Sequence, residues 1–216
     1  VSFQQYSSRT QRFVVGDFEV TGNQRVGDGA IIEASGVVSG SPLLAVNVAR
    51  VRARLEAMPW IHRASVHPVL PSRLVLQVQE YEPVAIVVGP TMRLVDASSR
   101  LFKSVEAGES HDLTMITGLR VDALEGETDE LGLTADSPIQ RRHLDAALTL
   151  LERYRQSPLT KEFPLSEVHW DPARGTTLVS SIGGAELRIG DRTVDELPQL
   201  LARVRRLLKH VESRKE

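Results

Sequence analysis

At Pro59 the apolar residues change period, and that change limits the possible folds more than any other feature of the chain. Before it, Leu44, Val48, Val51, Leu55 and Met58 recur at steps of four, three, four and three, while Arg50, Arg52, Arg54 and Glu56 fall mostly off that stripe. This is the face of an amphipathic helix, which Pro59 ends. After it, Trp60, Ala64 and Val66 alternate with Arg63, Ser65 and His67. Beyond Pro68 and Pro71, Leu74, Leu76 and Val78 alternate with Arg73, Gln77 and Gln79. A period of two marks strands with one buried face. A helical stripe running straight into two such strands requires a mixed, α+β fold.

Upstream, Phe13 to Thr21 has strand character with Phe18 and Val20 on one face, and it ends at the turn pair Gly22-Asn23. A short helix is expected from Asp28, a cap candidate, through Ile31 and Ile32 to Gly36. The order is therefore β-α-α-β-β over about 70 residues, enough for a small independent core. Glu82-Pro83 reads as a junction, because proline biases the preceding residue away from helix. The expected domains are residues 13–83 and 84–216. In the second, short strands are expected at Val84 to Val88, Met92 to Val95 and Leu113 to Ile116. One helix opens at Ser137-Pro138, carries the stripe Leu144, Ala147, Leu148, Leu151 and Tyr154, and closes at Ser157-Pro158. Val168 to Trp170 is a further strand. Thr176 to Ser180 and Ala185 to Ile189, joined through Gly183-Gly184, form a hairpin. A last amphipathic helix begins with the capping box Thr193 and Glu196 and carries Leu197, Leu200, Leu201, Val204, Leu208 and Val211.

Composition removes several classes. With 41% apolar and 25% charged residues, the 216-residue chain is too apolar and too evenly charged to be disordered. Its longest apolar runs are four or five residues, against roughly twenty for a membrane-spanning helix. The start, Val1-Ser2-Phe3-Gln4-Gln5, has no methionine, basic segment or apolar core, so the expectation is that residue 1 is not the natural start and that a targeting or membrane segment precedes it. Cysteine is absent, which excludes disulfides, thiolate metal sites and a cysteine nucleophile. Residues 1–82 carry a net +1, 83–137 a net −6 and 138–216 a net +3. None has the basic excess of a nucleic-acid binder, and the acidic run Glu125 to Glu130 reads as a solvated loop.

Catalytic chemistry finds no foothold in the pattern. His62 and His67, five apart in a strand, point to opposite faces and cannot share a metal. There is no nucleophile elbow, phosphate-binding loop or dinucleotide fingerprint. Asp171 with Glu167 could do acid–base work, but both sit at an ordinary strand end. Trp60 could be an exposed binding aromatic, yet its alternation with Ala64 and Val66 assigns it to the core. The expectation is a scaffold or binding protein, not an enzyme, without cofactor or metal.

Several strings also carry a family resemblance. Phe18 to Val26 (FEVTGNQRV) resembles the opening of a polypeptide-transport-associated (POTRA) domain, continued by Leu43 to Val46, the helix to Met58, Pro59-Trp60-Ile61, Leu70 to Leu74 and Val78 to Ala85. With Leu94-Val95-Asp96, Leu101-Phe102, Trp170 before a hairpin and Leu187 to Gly190 before the last helix, residues 13–211 are similar to the FtsQ/DivIB family of bacterial cell-division proteins. The resemblance implies a POTRA domain followed by a β-rich domain with antiparallel sheet and helices. It implies the periplasmic part of a single-pass, type II inner-membrane protein at the division septum. Its expected partners are bitopic FtsB- and FtsL-type proteins, bound by extension of a sheet edge in the second domain. The family's final strand with an Asp-Leu-Arg signature has no match before Glu216, so the edge strand is expected to be missing. Arg174 matches in position a basic residue of the family's partner surface. Glu186, Arg188, Arg203 and Arg206 are added as its expected neighbours, and the plain alternative for each is a solvated charge. A competing assignment, a POTRA-containing chaperone or docking module of outer-membrane assembly or secretion, predicts a second β-α-α-β-β unit after residue 83.

Overall fold

A computed structural model describes residues 13–120, 138–190, 196, 199–200 and 202–206. The fold is α+β, and its contacts divide the chain into two compact units, Val1–Tyr81 and Glu82–Glu216.

The first unit is a three-stranded sheet of β1 (Asp17–Thr21), β2 (Ile61–Val69) and β3 (Arg73–Glu80), in the order β1-β3-β2. β2 and β3 form an antiparallel hairpin, and β1 joins β3 in parallel with Phe18 beside Leu74 and Val20 beside Leu76. Helices α1 (Asp28–Ser35) and α2 (Val48–Glu56) supply the rest of the core. Ile31, Val51, Leu55, Ile61, Ala64, Val66, Leu74, Leu76 and Val78 are all buried there. Asn47 caps α2, its side chain accepting from the Arg50 N–H at 3.0 Å.

Four sequence expectations shift here. β1 starts at Asp17 rather than Phe13, because residues 13–15 bond instead to residues 40–43: Leu43 N–H donates to Phe13 O at 2.8 Å and Val15 N–H to Ser41 O at 2.9 Å. Asp28 is the first helical residue and Gly27 the cap; the Asp28 carboxylate accepts from Asn23 instead. Leu44 is not on the buried stripe. It lies in a 3-10 turn, Leu43–Ala45, that turns Leu43 inward and leaves Leu44 72% exposed. Trp60 is half-buried outside the core, because a bulge between Ile61 and Arg63 shifts the parity and gives the inward place to Ile61. The Arg25 guanidinium lies 4.9 Å from the centre of the Trp60 ring.

The second unit is a seven-stranded mixed sheet. Its strands are β4 (Ala85–Val88), β5 (Met92–Val95), β6 (Leu101–Ser104), β7 (Met115–Thr117), β8 (Leu165–Asp171), β9 (Gly175–Ser180) and β10 (Glu186–Gly190), in the order β10-β9-β8-β7-β4-β5-β6. After a β4-β5-β6 meander, β7 returns parallel to β4, and β8 is parallel to β7. A parallel return needs a long crossover, and helix α3 (Pro138–Arg155) lies within it. Register aligns Val87, Ile116, Val168, Leu178 and Leu187 in one row across five strands. This apolar face belongs to the core that includes the α3 stripe Leu144, Ala147, Leu148, Leu151 and Tyr154. The Tyr154 hydroxyl donates to Phe163 O, and burial, with the Glu162 charge nearby, pushes it up to about 12. Leu200 and Val204 of the last helix pack on the same core. Ser137, Thr193, Leu197, Leu201, Leu208 and Val211, and the run 125–130, lie outside the described residues.

β6 was not expected as a strand. Its most buried residue is Lys103, 9% exposed, which register sets beside Leu94 while Leu101 packs on the core; the ammonium donates to Glu109 at 2.7 and 2.9 Å and to Ser104 O at 3.0 Å, so no alternation of apolar residues announces the strand. Among the described residues the order after 83 is β-β-β-β-α-β-β-β followed by the last helix, not the repeated β-α-α-β-β unit that the outer-membrane assignment predicts.

Candidate partner-binding surface

β9 and β10 form the end of the seven-stranded sheet that carries the expected surface residues. Gly183-Gly184 turns the hairpin, closed by Ser180 N–H donating to Ala185 O at 2.9 Å. Glu186 opposes Val179 and Arg188 opposes Thr177. Side chains alternate across a strand, so Leu187 and Ile189 join the core side, where Ile189 is buried, while Glu186 and Arg188 point to the other face and are exposed. Their charged ends lie 3.7 Å apart, a loose pair at 56% and 65% exposure that is worth little and easily re-partnered.

Arg174 belongs to the β8–β9 turn. The Asp171 carboxylate accepts the backbone N–H of Ala173 at 2.8 Å and of Arg174 at 2.9 Å. The Ala173 bond first, outweighing burial, and then Arg174 hold that carboxyl below its ordinary range. This accounts for Asp171 as a turn-former and not as an acid–base group. The Arg174 carbonyl lies 4.0 Å from where a side chain on Gly190 would begin, so Arg174 stands at the end of β10. Arg174 thus stands at the open end of the hairpin that carries Glu186 and Arg188. Arg203 and Arg206 are exposed on the last helix, and Arg206 Nε donates to Ala202 O at 3.4 Å. No hydrogen bond or ion pair among the described residues brings either to the hairpin.

The alternation in β8 and the register of the parallel pair also build a group that the sequence did not single out. Thr117, His169, Thr177 and Arg188 lie side by side across four strands on the face away from α3. The Thr117 hydroxyl donates to the Glu167 carboxylate and contacts His169 Nδ1 at 2.7 Å. These contacts tie β7 to β8. Among the described residues no group of three or more histidine or acidic side chains is placed to hold a metal ion.

What remains is an edge. Among the described residues no strand pairs with the far side of β10, and Arg174, Glu186 and Arg188 stand around it.

Comparison with known proteins agrees with this architecture. A profile of the POTRA domain of the FtsQ type matches residues 13–81, the whole of the three-stranded unit. The chain is 32% identical to the cell division protein FtsQ of Syntrophotalea carbinolica over 203 residues, 94% of this chain and 67% of that protein. It is 33% identical over 186 residues to FtsQ of Anaeromyxobacter sp., covering 86% of this chain and 59% of that one. Over 207 residues it is 28% identical to FtsQ of Myxococcus fulvus, 96% of this chain and 69% of the relative. The chain therefore spans about three-fifths to two-thirds of the length of these relatives.

Proposed function

The chain belongs to the FtsQ family of cell division proteins, and from that premise we propose that it is a non-catalytic docking piece of the division machinery. Its β10 edge accepts a strand from a bitopic division protein of the FtsB or FtsL type. In this reading the described residues stand on the periplasmic side of the inner membrane at the septum, carried by a single membrane-spanning helix. No helix among the described residues is itself long and apolar enough to cross a membrane.

The observation that supports the reading is the β9–β10 hairpin, with an apolar side held by the core, a charged side facing out, and a backbone edge unpaired among the described residues. Backbone pairing supplies affinity there, and the guanidinium of Arg174 at the strand's end supplies selectivity for an acidic partner. Titration calorimetry of the chain against purified FtsB-type and FtsL-type ectodomains tests it. Saturable binding to at least one is the expected result, and no binding to either would remove the reading.

A further inference from the structure

A second surface, on the first unit, has no part in the docking just proposed. A groove of about 320 Å³ opens between the end of α1, the segment 41–47 and the outer side of α2. Its floor and sides are apolar at Val37, Ala45, Val46 and Val51, and two cations, Arg50 and Arg54, stand on it one helical turn apart. Val38 and Leu44, next in sequence to lining residues, are 70% and 72% exposed.

Two other arginines of the unit are paired with carboxylates. Arg52, between Arg50 and Arg54 on α2, reaches Glu56 at 4.0 Å, and Arg73 pairs with Glu19 at 2.8 Å. Among the described residues neither Arg50 nor Arg54 has a carboxylate within ion-pair distance. Arg54 is held by its environment: Nη1 donates to Ser35 O at 3.2 Å and packs where a side chain on Gly36 would stand, beside the negative end of α1. That uses one of five guanidinium donors. Asn47 spends its carbonyl oxygen on the Arg50 N–H, which leaves its amide NH2 as a further donor at the groove.

We infer that this groove is a second docking site, for a segment of a partner protein that presents an apolar side chain next to a carboxylate. The apolar floor takes the side chain. Arg50, Arg54 and the Asn47 amide supply donors to the carboxylate, whose charge complements theirs. A flat anionic bilayer would meet the arginines but leave the recessed floor empty, which argues for a peptide over a lipid surface.

The test uses the full chain, labelled with nitrogen-15 and titrated with a capped peptide of alternating leucine and glutamate. Saturable shifts at the Val37, Val46 and Arg50 amides are expected, weakened at least about tenfold by Arg50→Glu and less by Arg50→Lys. Arg50 is exposed, so neither change touches the core, and Arg54 is left in place because it supports the end of α1. Equal binding of a leucine–glutamine peptide, indifference to Arg50→Glu, or shifts elsewhere would overturn the inference. So would response only to vesicles of phosphatidylglycerol and phosphatidylcholine. Success or failure at β10 changes none of these outcomes.

Discussion

In the three-stranded sheet β1 runs parallel to β3 with Thr21 opposite Gln77, and the next residue, Gly22, turns away at φ 87°. A Cβ there would lie 2.0 Å from the Val78 carbonyl oxygen. In the seven-stranded sheet β7 runs parallel to β8 with Thr117 opposite His169, and Gly118 turns away at φ 82°, its missing Cβ 1.8 Å from the Trp170 oxygen. Two unrelated sheets end a parallel pairing by one device: a residue without a side chain passing over the next carbonyl of the neighbour. They part at their antiparallel edges. β2 is blunted by Pro68, which has no amide to offer, and by the bulge after Ile61. β6 carries a buried charge, Lys103, beside Leu94. β10 has neither proline nor buried charge, and its one irregularity falls at its last residues, between Arg188 and Gly190. Among the described residues, the edge of these three with neither device is the one that carries Glu186 and Arg188.

The comparison predicts most strongly that each unit depends on its own core. Leu55→Ala should cost about 2–5 kcal/mol and strip hydrogen-exchange protection from β1–β3 while β7–β9 stay protected, with Leu144→Ala doing the reverse. Loss of protection in both units from either change would break the division. Next, Gly22→Ala and Gly118→Ala should each destabilise by about 3 kcal/mol, since a positive φ and a backbone clash combine. A change of under about 0.5 kcal/mol at either, measured by urea unfolding, would show that the shared device is not structural.

The first unit was the more legible in sequence, and for a physical reason. Its helix and hairpin are neighbours along the chain, so the stripe at Val51 and Leu55 and the alternation at Leu74, Leu76 and Val78 predict their own partners. The failures there are local shifts of phase: a 3-10 turn exchanging Leu43 for Leu44, and a bulge exchanging Ile61 for Trp60. In the second unit the α3 stripe was readable, but β7 pairs with β4 and β8, both distant in sequence, and no residue pattern encodes that choice. The same register sets Thr117 beside His169, so that cluster was invisible. Glu186 and Arg188 could be placed because alternation alone puts them on one face, whereas the position of Arg174 at the end of β10 depends on the turn that Asp171 holds.

A smaller effect sharpens the contrast of edges. Arg174→Glu should weaken partner binding by about 1–3 kcal/mol if the guanidinium is desolvated against an acidic partner residue, while Arg63→Glu on β2 should leave the same affinity unchanged. Equal loss from both would mean general charge attraction and no particular edge.

The smallest concerns pH. Burial alone would raise Glu80, but the backbone N–H groups of Val26, Gln24 and Arg25 outweigh it and hold the carboxyl below its ordinary range. A carboxyl lowered in the folded state contributes stability above its unfolded pKa, and that contribution is lost as pH falls through the lower folded value. Glu80→Gln should therefore lower the melting temperature of the first unit by a few degrees at pH 7 and shrink its fall in acid. An unchanged acid profile would contradict this.

Amide exchange on the chain with and without a saturating FtsB-type or FtsL-type ectodomain shows whether β10 is the docking edge. New protection is expected along Glu186 to Gly190, at amides not already bonded to β9, with little change in β1–β3. Saturable binding that leaves β10 exchange unaltered would contradict it.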